Sequence, residues 1–393
     1  FYLDDNIRNR GFPGGAPVAF PHNGGNQEAR DRQSPLITAI MGECYGGPTW
    51  KASVSDIVVQ VKGSIMAVTG PPVLAAATGE LVNPEELGGW KIHAKQTGLV
   101  DFFAEDDQEA LALIRKVLQY LPANWQESPP VLADVTLPKF KQDSLLEILP
   151  EDSKVAYDMH EILNMIFDKS SLLELKPFYD SSLITAFARL GGRVVGVLAN
   201  NPKINAGAMG PGACEKASSF ICLCDSYHIP LCFIHDTPGF YVSKAAEERQ
   251  MPTKIMNFIK TLEHSTVPRI SLIIRKSYGM AHCNMVGANM GADFLLAWPQ
   301  ADISFMSPEV ALQVVMGRRL KEADKPETIR KAFLEEMKEM NAPWEAARKN
   351  LIDRIIDPRD TRKELIRAFQ VASGFGPGGG KSKRKMASWP KMF

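Results

Sequence analysis

The stretch IMGECYGGPTW, Ile40–Trp50, carries an apolar run into two adjacent glycines with a proline directly behind them. A strand that stops on Gly46-Gly47 enters a turn where side chains are unwelcome, because glycine alone adopts positive φ at little cost. The chain does nearly the same again in IRKSYGMAHC, Ile274–Cys283. Pro35 and Pro268 open the two copies, and both they and Gly46 and Gly279 stand 233 positions apart. Past a longer second helix the offset becomes 237, relating Asp56 to Asp293 and Pro71 to Pro308. SDIVVQVKGSIMAVTGPPV, 55–73, then lies beside ADFLLAWPQADISFMSPEV, 292–310. Self-similarity at a fixed offset marks two related halves.

A strand, a small-residue turn and a helix in each half predict an α/β fold. Residues 1–34 are rich in Gly, Pro, Asn and charge, and are read as a poorly defined N-terminal segment. The first domain is expected over 35–120, with DIVVQVKGSIMAV as one β-branched run and a helix near 106–120. A proline-rich linker without periodicity follows over 121–150, and the second domain over 151–374. There Val155, Met159, Ile162, Leu163 and Ile166 share one helical face, and a helix is expected from about Ala213 to His228. Residues 375–393, glycine-rich and basic, read as a flexible tail.

Lys+Arg and Asp+Glu are both 45 in 393 residues, so no global charge excess draws the chain to nucleic acid or an anionic membrane. The apolar run VVGVLA, 194–199, falls far short of the roughly 20 residues of a membrane span. The start, FYLDDNIRNRGFPGG, has neither an initiator Met nor a signal-peptide pattern, and the chain is expected to be a fragment. The six cysteines form no C-x-x-C pair, and most sit in apolar segments. Reduced core thiols in a reducing compartment, cytoplasmic or the mitochondrial matrix in a eukaryote, are expected, with no zinc.

The turn itself suggests chemistry. A helix that begins directly after a strand presents N–H groups without intrahelical partners and the positive end of its dipole. With small residues there, a developing oxyanion can approach closely, and each such donor is commonly worth about 3–4 kcal/mol in a transition state. Gly46 and Gly47 suit this in the first copy, and Gly279, Met280 and Ala281 in the second. Two such holes imply two developing oxyanions in one reaction. The sequence holds no G-x-S-x-G, no G-x-x-x-x-G-K-[ST] and no H-E-x-x-H. His235, before Asp236 at a strand end, is read as hydrogen-bonded to a neighbour. His282 and Cys283 are adjacent and expected to point apart, which disfavours a thiol nucleophile.

Many ordered blocks carry a family resemblance. The first half has IMGECYGG, TGPPVLAAATGELVNPEELGG and HAKQTGLVDFFAEDDQEAL. The second has LITAFARLGGRVVGVLANNP, AGAMGPGACEKASSFICLCDSYHIPL, DTPGF, STVPRISLIIRKSYGMAHCNM, GANMGADFLLAWPQADISFMSPEVA and NAPWEAARKNLIDRIIDPRDTRKEL. Over roughly Pro35–Gly374 the chain resembles the β-type carboxyltransferase subunits of biotin-dependent acyl-CoA carboxylases.

The resemblance implies two tandem crotonase-like (ββα-superhelix) domains, the first incomplete, since only about 34 unmatched residues precede its first block. It implies transfer of a carboxyl group from carboxybiotin to the α-carbon of an acyl-CoA, with the thioester enolate and the biotin ureido oxygen as the two oxyanions. Biotin takes the α-proton, so no side-chain base is needed. Gly46 and Gly47 would face the thioester oxygen, and Met280 and Ala281 the biotin oxygen, with Met280 standing where a small residue is usual. Tyr45, Tyr278, Cys283, Gly70, Gly207, Gly239 and Phe240 would line the substrates, Cys283 at a position that tunes acyl-chain size.

Biotin would arrive on a carrier subunit charged by a biotin carboxylase. The chain would act in a dimer-based hexamer, the first half of one copy facing the second half of another. A decarboxylase or transcarboxylase subunit running the same half-reaction, or a non-catalytic scaffold, is the alternative.

Overall fold

The structure is a computed structural model that describes residues 31–138, 143–373 and 381–391. It forms two compact units: one up to Glu127 that also takes in the segment from Ala387, and one from Ser128 to Met386.

The first unit carries β1 (Ile37–Ile40), β2 (Glu43–Tyr45), β3 (Ile57–Val61), β4 (Ile65–Ala67) and β5 (Phe102–Ala104). They make a three-stranded parallel sheet, β1-β3-β5, and a two-stranded parallel one, β2-β4. Ile40, Ala52, Val58, Met66, Ala94 and Val100 form the core beside them. The run expected as one strand over 56–68 is two strands in different sheets. Gly63, at φ +77°, breaks it, and Ser64 Oγ donates to the Val61 carbonyl at 2.7 Å to close the turn.

The second unit carries β6 (Leu173–Leu175), β7 (Leu183–Leu190), β8 (Arg193–Asn200), β9 (Leu231–Thr237), β10 (Arg269–Tyr278), β11 (Phe294–Ala297), β12 (Asp302–Ser304) and β13 (Arg354–Ile355). Their order is β13-β11-β10-β9-β8-β7-β6, with β12 also on β10. All pairings are parallel except the antiparallel β6-β7-β8 edge. The helix Pro211–Ser226, expected over 213–228, is buried along nearly its whole length. The other face of the sheet packs on Met159, Ile162, Leu163 and Ile166. Val155 does not join that stripe: the Asp158 side chain accepts from the His160 N–H, the helix starts at Met159, and Val155 is half exposed.

The internal repeat holds at the level of strand register. Ile37 pairs with Ile57 as Ile270 pairs with Phe294, and Tyr45 with Ala67 as Tyr278 with Ser304. Each pair is related to its counterpart by the two sequence offsets. The mixed α/β architecture is as expected. Residues 381–391, expected within a flexible tail, are packed, with Met386, Ala387 and Lys391 buried.

Candidate functional site

In the first unit β2 runs into the helix Gly47–Ser53 through Gly46, whose φ of 68° and ψ of −129° strain any residue with a side chain. The Gly46 N–H is already used: it donates to the Val68 carbonyl at 3.0 Å and the Ala67 carbonyl at 3.3 Å. Gly46 therefore shapes the turn and is not one of its donors, contrary to the sequence expectation. The N–H left open is that of Gly47, at the first helical position, which has no intrahelical acceptor. Pro48 behind it has no N–H to offer. The loss could have been read from the sequence, because proline removes a donor wherever it stands.

Tyr45 and Gly70 lie together: a Cβ on Gly70 would stand 3.4 Å from the Tyr45 ring, so glycine lets the ring lie against the backbone. Burial raises the Tyr45 hydroxyl pKa, with the Glu43 carboxylate adding to it.

In the second unit β10 ends at Tyr278 and the helix Gly279–Asn284 follows at once. Gly279 takes a φ of 59°, and a Cβ there would stand 3.1 Å from the Phe305 carbonyl oxygen. Met280 and Ala281 occupy the next two helical positions, so their N–H groups lack intrahelical acceptors. This turn keeps the N–H that Pro48 removes from the first. The Ala281 side chain is buried and that of Met280 is exposed. The Tyr278 hydroxyl has its proton engaged, donating to Asp302 Oδ2 at 2.6 Å. Cys283 is partly exposed, and burial raises its thiol pKa, against nucleophilic use.

Gly207, Gly239 and Phe240 gather where β9 ends. Gly207, at φ +83°, lies against the Asp236 carbonyl, where a Cβ would come within 2.3 Å. Met209 bridges to Phe240 and accepts from the Tyr241 N–H at 2.9 Å. Thr237 pairs with Ser277, so this loop and the turn at Gly279 leave the same end of the sheet.

Asp236 is sealed: Tyr157 donates to it at 2.7 Å and Arg275 Nε at 2.8 Å. Burial raises its pKa despite Arg275. His235 is hydrogen-bonded, as expected, but to hydroxyls: Nδ1 lies 2.8 Å from Ser277 Oγ and Nε2 2.6 Å from Ser271 Oγ. Ser277 Oγ also lies 2.9 Å from His282 Nδ1. Burial lowers both imidazole pKa values, that of His282 to about 4. Sequence reading missed this chain, and missed Thr49, whose single hydroxyl proton is shared between the Cys44 carbonyl at 2.7 Å and the Ala67 carbonyl at 2.9 Å.

Among the described residues no cluster of three or more His, Cys, Asp or Glu side chains could hold a metal. Nor is any helix among them long and apolar enough to cross a membrane.

The model of the carboxyl transferase domain matches residues 23–374. The chain is 35% identical over 341 residues to the methylmalonyl-CoA carboxyltransferase 12S subunit of Propionibacterium freudenreichii subsp. shermanii, covering 86% of this chain and 64% of that protein. It is 36% identical over 353 residues to the propionyl-CoA carboxylase carboxyltransferase subunit of Haloferax mediterranei, covering 89% and 67%. The hexameric transcarboxylase 12S structure with methylmalonyl-coenzyme A and methylmalonic acid bound superposes with a TM-score of 0.82 at 34% identity, over 90% of this chain and 68% of that one. The chain thus spans about two thirds of the length of these curated relatives. The chain therefore belongs to the carboxyl transferase domain family, in its β-type branch from biotin-dependent carboxylases.

Proposed function

We propose that this chain is the carboxyltransferase component of a biotin-dependent acyl-CoA carboxylase, moving a carboxyl group from carboxybiotin to the α-carbon of an acyl-CoA. One observation carries the reading: the same strand-turn-helix device occurs twice in the same register, each time with helix-start N–H groups free of intrahelical acceptors. Donors of that kind, with no titratable side chain among them, suit anionic oxygens that exist only along the reaction.

The Gly47 N–H holds the thioester oxygen, with Gly46 fixing the turn and Tyr45 and Gly70 flanking it. The Met280 and Ala281 N–H groups hold the ureido oxygen of biotin, with Gly279 permitting the approach. Bound biotin would supply the activated carboxyl group and the base for the α-proton. Cys283 bounds the acyl chain, and Gly207, Gly239 and Phe240 line the approach to the second hole. The acyl-CoA enters as substrate, and biotin on a carrier subunit charged by a biotin carboxylase. The chain works as a homo-oligomer, a dimer-based hexamer, with the holes of two copies serving one reaction. Its place is the cytoplasm, or the mitochondrial matrix in a eukaryote.

The test is the reverse half-reaction: purified protein with malonyl-CoA or methylmalonyl-CoA and free biotin, following biotin-dependent loss of the dicarboxylic thioester. Loss is expected, and is abolished by Gly46→Val or Ala281→Val. A scaffold role is the second reading, favoured by the donor that Pro48 removes and by the Met280 side chain at the second hole. It prevails if a folded, CoA-binding oligomer catalyses no loss. A decarboxylase or transcarboxylase subunit would pass the same assay and differ in the acceptor its complex supplies.

A further inference from the structure

Five hydrogen bonds run in one line beneath the second hole, and their direction is fixed from both ends. At one end the Ala288 N–H, which can only donate, lies 2.8 Å from His282 Nε2. That nitrogen is therefore bare, and His282 carries its proton on Nδ1, donating to Ser277 Oγ at 2.9 Å. Ser277 must then give its own proton to His235 Nδ1 at 2.8 Å. His235 is left with its proton on Nε2, which it donates to Ser271 Oγ at 2.6 Å. Ser271 in turn donates to the Met285 carbonyl at 3.1 Å. Starting from the Met285 carbonyl, which can only accept, gives the same assignment in reverse.

Both rings must be neutral for the line to close, and burial keeps them so. An extra proton would set donor against donor, at Ala288 or at Ser277.

The line clasps one short element. Ser277 lies two residues before Gly279, His282 sits within the helix Gly279–Asn284, Met285 caps its end and Ala288 lies just beyond. Gly287 allows the His282 ring to lie on the backbone there, since a Cβ would come within 2.2 Å of Nε2. The first half has a reduced form of the same clasp: Cys44 and Thr49, the repeat counterparts of Ser277 and His282, bring Sγ and Oγ1 to 3.6 Å. His235 extends it in the second half.

We propose that His235 and His282, acting through Ser277, are positioning residues that set the start of the helix Gly279–Asn284 and so the aim of the Met280 and Ala281 N–H groups. Neither ring touches substrate. The proposal rests on the reading that these two donors hold an oxyanion, and its test separates the two ideas.

In protein labelled with nitrogen-15 at histidine, the ring resonances should show His282 as the Nδ1–H tautomer and His235 as the Nε2–H tautomer, both neutral at pH 7. His282→Phe, which fills the space without donor or acceptor, should lower kcat of the reverse half-reaction about tenfold while KM for the dicarboxylic thioester stays within about twofold, because a misaimed donor acts on the transition state. The same variant should shift the backbone amide resonances of Met280 and Ala281. His282→Asn, with an amide nitrogen near the position of Nδ1, should recover part of both effects.

Opposite tautomers, a charged ring, or unmoved Met280 and Ala281 amides in His282→Phe would overturn the proposal, as would unchanged kcat in an active protein. If His282→Phe does not fold, Ser277→Ala breaks the same line, and the wild-type tautomers decide independently. If wild-type protein shows no biotin-dependent reaction, the carboxyltransferase reading falls, and the tautomers and amide shifts still decide whether the line sets the turn.

Discussion

Gly46 owes its identity to backbone geometry alone. No atom lies closer than 4.0 Å to where its Cβ would stand, yet φ is 68° and ψ −129°. A side chain there meets its own backbone, and holding an L-residue in such a region costs about 1–3 kcal/mol. Gly42, four residues earlier, has equally open space and no positive φ. Gly46→Ala should therefore lower the denaturation free energy of the first unit by about 1–3 kcal/mol, whereas Gly42→Ala should stay within about 0.5 kcal/mol. Urea titration of the two variants checks this, and equal losses would refute the conformational account. That a turn stood at Gly46-Gly47 was legible in the sequence. Which glycine bends and which donates was not, because the two differ only in φ and in what faces their N–H groups.

At the scale of elements, the repeat was legible as an offset, and the structure adds what the offset is for. Asp56 Oδ2 accepts from the Leu36 N–H at 3.0 Å, and its counterpart Asp293 accepts from the Arg269 N–H at 2.7 Å. Asp101 and Asp353 likewise receive the Val58 and Leu295 N–H groups at 2.8 and 2.7 Å. Each half uses two carboxylates to finish strand ends that lack a backbone partner. Where the sequence misled, a polar cap outranked apolar spacing: Asp158 starts a helix after Val155.

The same Asp158 belongs to a linked group whose titration was hidden in the sequence. His160 Nε2 lies 2.7 Å from Glu174 Oε2 and Nδ1 2.6 Å from Asp158 Oδ1. The hydrogen bond to Glu174, ahead of the other contributions, raises the His160 pKa to about 9. A histidine raised above its unfolded value of about 6.5 binds its proton more tightly in the fold. Its contribution is complete below about pH 6.5 and is lost as pH rises through about 9. The ring is a third exposed, so screening keeps the effect below about 1 kcal/mol. Glu174→Gln should flatten the fall in stability between about pH 6.5 and 9, read from urea midpoints at several pH values. An unaltered slope would mean that Glu174 does not hold the proton.

At the scale of the whole molecule, the first unit is not continuous in sequence, because the segment from Ala387 belongs to it. Composition hid this: a glycine-rich, lysine-rich end looks solvated, and only the contacts made by its last residues say otherwise. Lys391 is buried, its Nζ 2.6 Å from Asp101 Oδ2 and 3.3 Å from the Leu99 carbonyl. The Arg32 guanidinium holds the Ala387 carbonyl at 2.9 Å while its Nε pairs with Asp56 at 3.0 Å.

The repeat supplies the control for what Lys391 does. Asp353 makes the same strand-end hydrogen bond as Asp101 but stands exposed, where water stabilises its charge. Asp101 is 2% exposed, so its charge needs a cation. Removing one partner of a buried pair costs about 3–5 kcal/mol, because the other is left charged and dry. Lys391→Ala should therefore destabilise the first unit by about 3 kcal/mol, and adding Asp101→Asn, which keeps an acceptor for the Val58 N–H without the charge, should recover most of that loss. The equivalent change at Asp353, to Asn, should cost less than about 1 kcal/mol, since an exposed carboxylate gives up only a neutral-strength hydrogen bond. Thermal melting of the three variants decides the matter: a Lys391→Ala protein that melts with the wild type would show that the segment's lysine is solvated after all, and that packing of Ala387 alone ties it to the first unit.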